Sequence, residues 1–207
     1  LKETWYPKRW TEILVPEPRE ACVLNCLLRT FAPPDYPFTF LQKADTDRRF
    51  STFLSFRAAV IYPHDYALML FYEFYACGMP IFLPAHLSKY LFPYSATVPL
   101  LDYVPDWVRK LPNRPPYSPL SLISVDSLRY YAHYMDFFRY PGVEYFEGIP
   151  NLLARLPVAD LPKMSATMRS FRLHQLDKAH NHWDCALRSV FAREQLQSSC
   201  GDSVFRR

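Results

Sequence analysis

The chain has 207 residues, half of them hydrophobic, which suffices for one sizeable packed domain or a domain with an extension. Only 4 glycines stand against 20 prolines, and neither a GxGxxG nor a Walker-type phosphate loop occurs. The net charge of +4 comes from scattered basic residues, and the pairs Arg48-Arg49 and Arg206-Arg207 are too short to make a nucleic-acid-binding stripe, so no nucleic-acid partner is expected.

In chain order, residues 1–16 read as an extended lead-in rich in Trp5, Tyr6 and Trp10. Pro16-Glu17-Pro18 places proline and acid in the first turn of a helix carrying Ala21, Leu24, Leu27 and Leu28 at helical spacing, and Pro33-Pro34 stops it. Tyr36 to Leu41 reads as a strand with a loop from Lys43 to Asp47 at its end. A short helix comes next over Arg48 to Phe56, then an apolar strand from Ala58 to Tyr62. Asp65 is placed to cap a helix running from Tyr66 to Cys77, with Gly78 as its C′ residue, and Ile81 to Leu83 reads as a buried strand.

Residues 85–92 suggest a short helix, and 93–121 a proline-rich irregular insertion. Ser124 is placed to cap a helix through Phe138. Val143 to Phe146 reads as a strand, and Ile149 to Leu156 as a helix entered through Pro150. A long amphipathic helix is expected from about Ser165 to Gln197, with a break near His180-Asn181-His182. Strand and helix alternate through short connections. That pattern implies an α/β, Rossmann-like parallel sheet with helices on both faces. The expected organisation is an N-terminal extension and helix over 1–35, a Rossmann-like domain over 36–164 with the insertion at 93–121, and a C-terminal helix and tail over 165–207. An odd count of five irregularly spaced cysteines argues against a disulfide framework, and Cys22 and Cys26 read as two thiols on one helix face.

Between Asp65 and Lys89 the one formally charged residue is Glu73. Glu73 and Pro80 interrupt the best apolar run before it reaches the ~20 residues a membrane-spanning helix needs, so no transmembrane segment is expected. A carboxylate on a helix that is apolar all round is costly unless it is paired or faces a wet cleft. With Asp65 as the cap, helix geometry places Asp65 and Glu73 ~12 Å apart and within ~80° around the axis, a span one long ligand can bridge. The free N–H groups at Tyr66, Ala67 and Leu68 would suit a diphosphate. In sheets of this kind ligands sit beyond the carboxyl ends of the strands. The plainer readings also stand: Asp65 as a simple cap, Glu73 in an ion pair, His64 and His86 as ordinary loop residues, and the tyrosines and phenylalanines mostly as core.

The run Pro63-His-Asp65…Glu73-Phe-Tyr-Ala-Cys-Gly78-Met-Pro80-Ile-Phe-Leu-Pro84 resembles the acid-x7-Glu, Gly-x-Pro pattern of GT-B glycosyltransferases, exostosin-like and glycogen-synthase-like, in their C-terminal, nucleotide-sugar-binding half. Phe50 to Val60 looks like the helix and strand that lead into it, and Met168 to Leu187 is similar to the C-terminal helix region of such enzymes. The resemblance implies transfer of a sugar from a UDP- or GDP-linked donor to a saccharide, protein or lipid acceptor, with no metal required. It gives Glu73 the ribose hydroxyls and Asp65 the donor sugar, with His64 beside it as a catalytic candidate. Tyr66 and Ala67 would hold phosphates and sugar, with Lys43 as the candidate cation for the diphosphate. Asp65-Tyr66-Ala67-Leu68 departs from the family's frequent Glu-Gly-Phe-Gly by its bulk. The chain is too short for both halves of such an enzyme, so the N-terminal half is expected to be missing or supplied by a partner. The alternative is a non-catalytic interaction or structural subunit on the same fold.

Overall fold

The computed structural model describes residues 3–16, 22–63, 68–86 and 125–201. Five strands, β1 (Arg9–Val15), β2 (Thr39–Gln42), β3 (Phe56–Val60), β4 (Ile81–Pro84) and β5 (Glu144–Phe146), form one sheet in the order β2-β1-β3-β4-β5. Every neighbouring pair is parallel. The α/β, Rossmann-like fold class read from the alternation is therefore the one observed.

The lead-in does not stay outside the sheet. Its second half is β1, which pairs with both β2 and β3. Ile13, Leu14 and Val15 are fully buried, while the Arg9 to Glu12 half is partly to fully exposed. The residues before β1 are pinned beneath it. Trp5 donates its indole N–H to the Phe56 carbonyl, and its backbone N–H goes to the Cys77 carbonyl, both at 2.9 Å.

The helices are α1 (Cys22–Phe31), α2 (Phe50–Phe53), α3 (Met69–Ala76), α4 (Val125–Ala132), α5 (Asp136–Arg139), α6 (Ile149–Val158) and α7 (Leu161–Gly201), with a 3-10 turn at Lys43–Asp45. The crossover from β1 to β2 runs in the opposite direction to the later ones. With right-handed crossovers this sends α1 to one face of the sheet and α2 and α3 to the other. The contacts agree: α1 meets α6, whereas Phe50 and Phe53 of α2 meet Phe74 of α3, and Phe71 of α3 meets Phe137 of α5. Both faces of the sheet are thus covered, and β3 and β4 read as near-continuous apolar runs because they lie in the middle. In β4 all four residues are buried, Pro84 standing at the strand end where a proline is tolerated.

α3 ends in a Schellman motif. Gly78 has φ +71°, its N–H reaches the Tyr75 carbonyl at 3.0 Å, and the Met79 N–H reaches the Phe74 carbonyl at 3.0 Å. The expected helix from Ser124 to Phe138 is two helices; Ser124 itself lies outside the described residues. At the break Met135 is extended at φ −68°, ψ 146°, and 3-10-type bonds close the end of α4. The insertion at 93–121 and the helix suggested for 85–92 lie almost wholly outside the described residues.

The chain divides into two compact units, Leu1–Arg169 and Ser170–Arg207. The first holds the sheet and the opening turns of α7. There Ser165 is buried so closely on Gly78 that a Cβ on the glycine would stand 2.9 Å from its Oγ. The second unit comprises the remainder of the long helix and the last residues of the chain. The helix runs through His180-Asn181-His182 without the expected break. No described helix is long and apolar enough to cross a membrane.

Candidate functional site

In a parallel sheet of this order the direction of travel reverses between β1 and β3, and the crevice at the carboxyl ends of those two strands is where ligands settle in doubly wound proteins. β3, the strand that precedes α3, borders that point. The connection between the two begins at the carboxyl end of β3. It holds His64, Asp65, Tyr66 and Ala67, all four outside the described residues.

The start of α3 is nonetheless fixed. Its N-cap is Leu68, at φ −105° and ψ 108°, with no side-chain cap. The helix therefore begins at Met69, three residues later than the sequence suggested, and Asp65 does not cap it. The ~12 Å and ~80° relation between Asp65 and Glu73 assumed that cap and no longer applies. The amides of the helix start are those from Leu68 onward, and the Phe71 N–H is already bonded to the Leu68 carbonyl at 2.9 Å.

Glu73 is also placed differently from the expectation that drew attention to it. α3 is not buried all round. Phe71, Phe74 and Tyr75 face the interior, and Met69 is 71% exposed. At 3.6 residues per turn Glu73 lies within ~40° of Met69 and ~60° of Ala76, and roughly 100–160° from the three buried aromatics. Its side chain is half-buried on the outward stripe of the helix. Half-burial on this stripe costs a carboxylate less than full burial would, and among the described residues Glu73 forms no ion pair.

Lys43 sits in the 3-10 turn at the end of β2, the edge strand, with its ammonium 5.9 Å from the Phe53 ring centroid. Its turn is closed by Asp45, whose carboxylate accepts from the Gln42 N–H at 3.1 Å and lies 3.8 Å from Arg29. No ion pair joins Lys43 to Glu73, so these two candidates are not brought together by direct contact.

A second polar pair stands at the same edge of the sheet. His86 follows β4 and Glu147 follows β5, and His86 Nε2 lies 2.7 Å from Glu147 Oε2. The Ala85 N–H donates to the Phe146 carbonyl at 2.8 Å, which extends the β4–β5 ladder and aligns the two side chains. With Nε2 donating to the carboxylate, Nδ1 is the ring nitrogen left for another partner. Each residue comes within two positions of a strand end, so the sequence carried that signal, but their partnership across β4 and β5 is not readable without the strand order.

Behind α3 lies a tyrosine-rich layer. Tyr72 donates to Asp136 Oδ2 at 2.8 Å, and Tyr75 donates to the Pro141 carbonyl at 2.7 Å. Burial, reinforced by Asp136, pushes the Tyr72 hydroxyl up to about 12. Burial also raises Tyr75, with Tyr140 and Tyr145 adding to the effect. These hydroxyls are committed to anchoring α3, and their role is positional.

No protein family, curated protein or solved structure matches the chain. Among the described residues no group of three or more His, Cys, Asp or Glu side chains is arranged to hold a metal ion.

Proposed function

We propose that this chain is the nucleotide-sugar-binding half of a GT-B-type glycosyltransferase, acting on a UDP- or GDP-linked donor. The observation that carries the reading is positional. The acid-x7-Glu, Gly-x-Pro run falls on the β3–α3–β4 unit, and β3 borders the reversal point of a five-stranded parallel sheet. Glu73, half-buried and without an ion pair among the described residues, is suited to accept both ribose hydroxyls, since a carboxylate is a strong bidentate acceptor. In this reading Asp65 and His64 address the donor sugar, and Tyr66 and Ala67 the phosphates. Lys43 is the candidate cation for the diphosphate. The acceptor and the remaining catalytic groups come from an N-terminal half or a partner protein.

Calorimetry with UDP, GDP and their sugars tests this. Charge-assisted hydrogen bonds of ~1.5–3 kcal/mol predict a loss of roughly 10- to 100-fold in affinity for Glu73→Ala. Stability should change by less than ~0.5 kcal/mol, because the side chain is outward-facing. Absence of binding at millimolar ligand, or equal affinity in the variant, counts against the reading. A second reading, an interaction subunit without catalysis, is favoured by Leu173, Leu176, Trp183, Leu187 and Val190, each more than half exposed along α7.

A further inference from the structure

Within the second unit, α7 carries Leu173, Leu176, Trp183, Leu187 and Val190, each more than half exposed. With His180 between them their spacing alternates three and four residues. That is the a/d seam of a coiled coil, with Leu173, His180 and Leu187 at a, and Leu176, Trp183 and Val190 at d. An exposed apolar seam of this kind marks an interaction surface.

We propose that a second copy of this chain covers it, in a parallel, in-register two-stranded coiled coil. The flanking charges decide the occupant and its direction. In this register Arg172 is at g, while Asp177 and Asp184 are at e. A parallel pair sets each Arg172 against the partner's Asp177, five residues on, twice by symmetry. Asp184 then faces the partner's Ala179, and it already bonds Arg188 on its own helix at 2.8 Å. An antiparallel pair centred on the stripe instead puts Asp177 beside the partner's Asp184, a like-charge contact made twice along the e flank. His180 at an a position is a polar residue inside the seam, the kind that fixes register and a two-stranded state at some cost in stability.

The test is sedimentation equilibrium of the full chain at tens of micromolar, with twice the single-chain mass of 24.4 kDa expected. The double variant Leu173→Glu, Leu187→Glu should return it to the single-chain mass with unchanged helical circular dichroism. Asp177→Lys, a surface change that spares the seam, should weaken association by on the order of tenfold, which keeps the test decisive if the double variant loses helix. Val190→Cys, with Cys22, Cys26, Cys185 and Cys200 replaced by serine, should oxidise to a covalent dimer. A single-chain mass for the unmodified protein overturns the proposal. So does a dimer indifferent to these substitutions, or one in which Val190→Cys fails to cross-link.

Discussion

Gly78 answers two demands at once. Its φ of +71° is the left-handed region, and the space where a Cβ would stand is taken by Ser165 and Arg169. The first penalises an L side chain by ~1–2 kcal/mol, and overpacking adds ~1–3 kcal/mol. Gly78→Ala should therefore cost at least ~2 kcal/mol, read as a fall of several degrees in melting temperature; a loss under ~0.5 kcal/mol would mean that α7 yields freely at this contact. The tyrosines give a second residue-scale outcome. Burial holds Tyr36, Tyr72 and Tyr145 up to about 12, against an unfolded value near 10. A raised folded value favours the protonated native state below pH 10, and that stability is lost as pH climbs from about 10 to 12. Guanidinium unfolding across that window should show midpoints falling with pH, whereas a flat profile would place these hydroxyls in solvent. Gly78 as a helix terminator was legible in the sequence, because only the chemistry of one turn was needed. The place of Glu73 on the outward stripe of α3 was not. A tally of apolar neighbours cannot show that Met69 faces outward, and that single fact weakens the argument from burial cost.

At the scale of elements, what the sequence shows depends on how local the cause is. β1 was read as a lead-in because its apolar run, Ile13 to Val15, is only three residues long and follows the polar half Arg9 to Glu12. Its place between β2 and β3 is made by pairing with residues far along the chain. The break between α4 and α5 has no glycine or proline to announce it; it comes where Tyr145 and Tyr72 bond to Phe137 and Asp136. Conversely, the break expected at His180-Asn181-His182 does not occur. Each of those residues costs a helix less than ~0.7 kcal/mol, too little to interrupt one of this length. The contact between α2 and α3 through Phe50, Phe53 and Phe74 supplies a test at this scale. Phe74 is fully buried, so Phe74→Ala should destabilise the fold by ~3–5 kcal/mol in denaturant unfolding. A cost below ~1 kcal/mol would show that the layer over β3 and β4 is not what holds α3 in place.

For the whole molecule, alternation of strand and helix was enough to read a parallel, two-faced sheet, because that architecture follows from connection lengths alone. The order β2-β1-β3-β4-β5 was not readable, and with it went the pairing of His86 with Glu147 and the position of the reversal point. The functional reading rests on that point, since β3, the strand before the run containing Asp65 and Glu73, borders it. It also assigns the Glu73 carboxylate one specific pair of ligand atoms. The most direct measurement is a calorimetric comparison of UDP and GDP with their 2′,3′-dideoxy analogues, on the unmodified protein and on Glu73→Gln. Removing the ribose hydroxyls should weaken the better nucleotide at least tenfold in the unmodified protein and have little further effect in the variant. Equal affinity for the nucleotide and its dideoxy analogue in the unmodified protein would contradict the assignment.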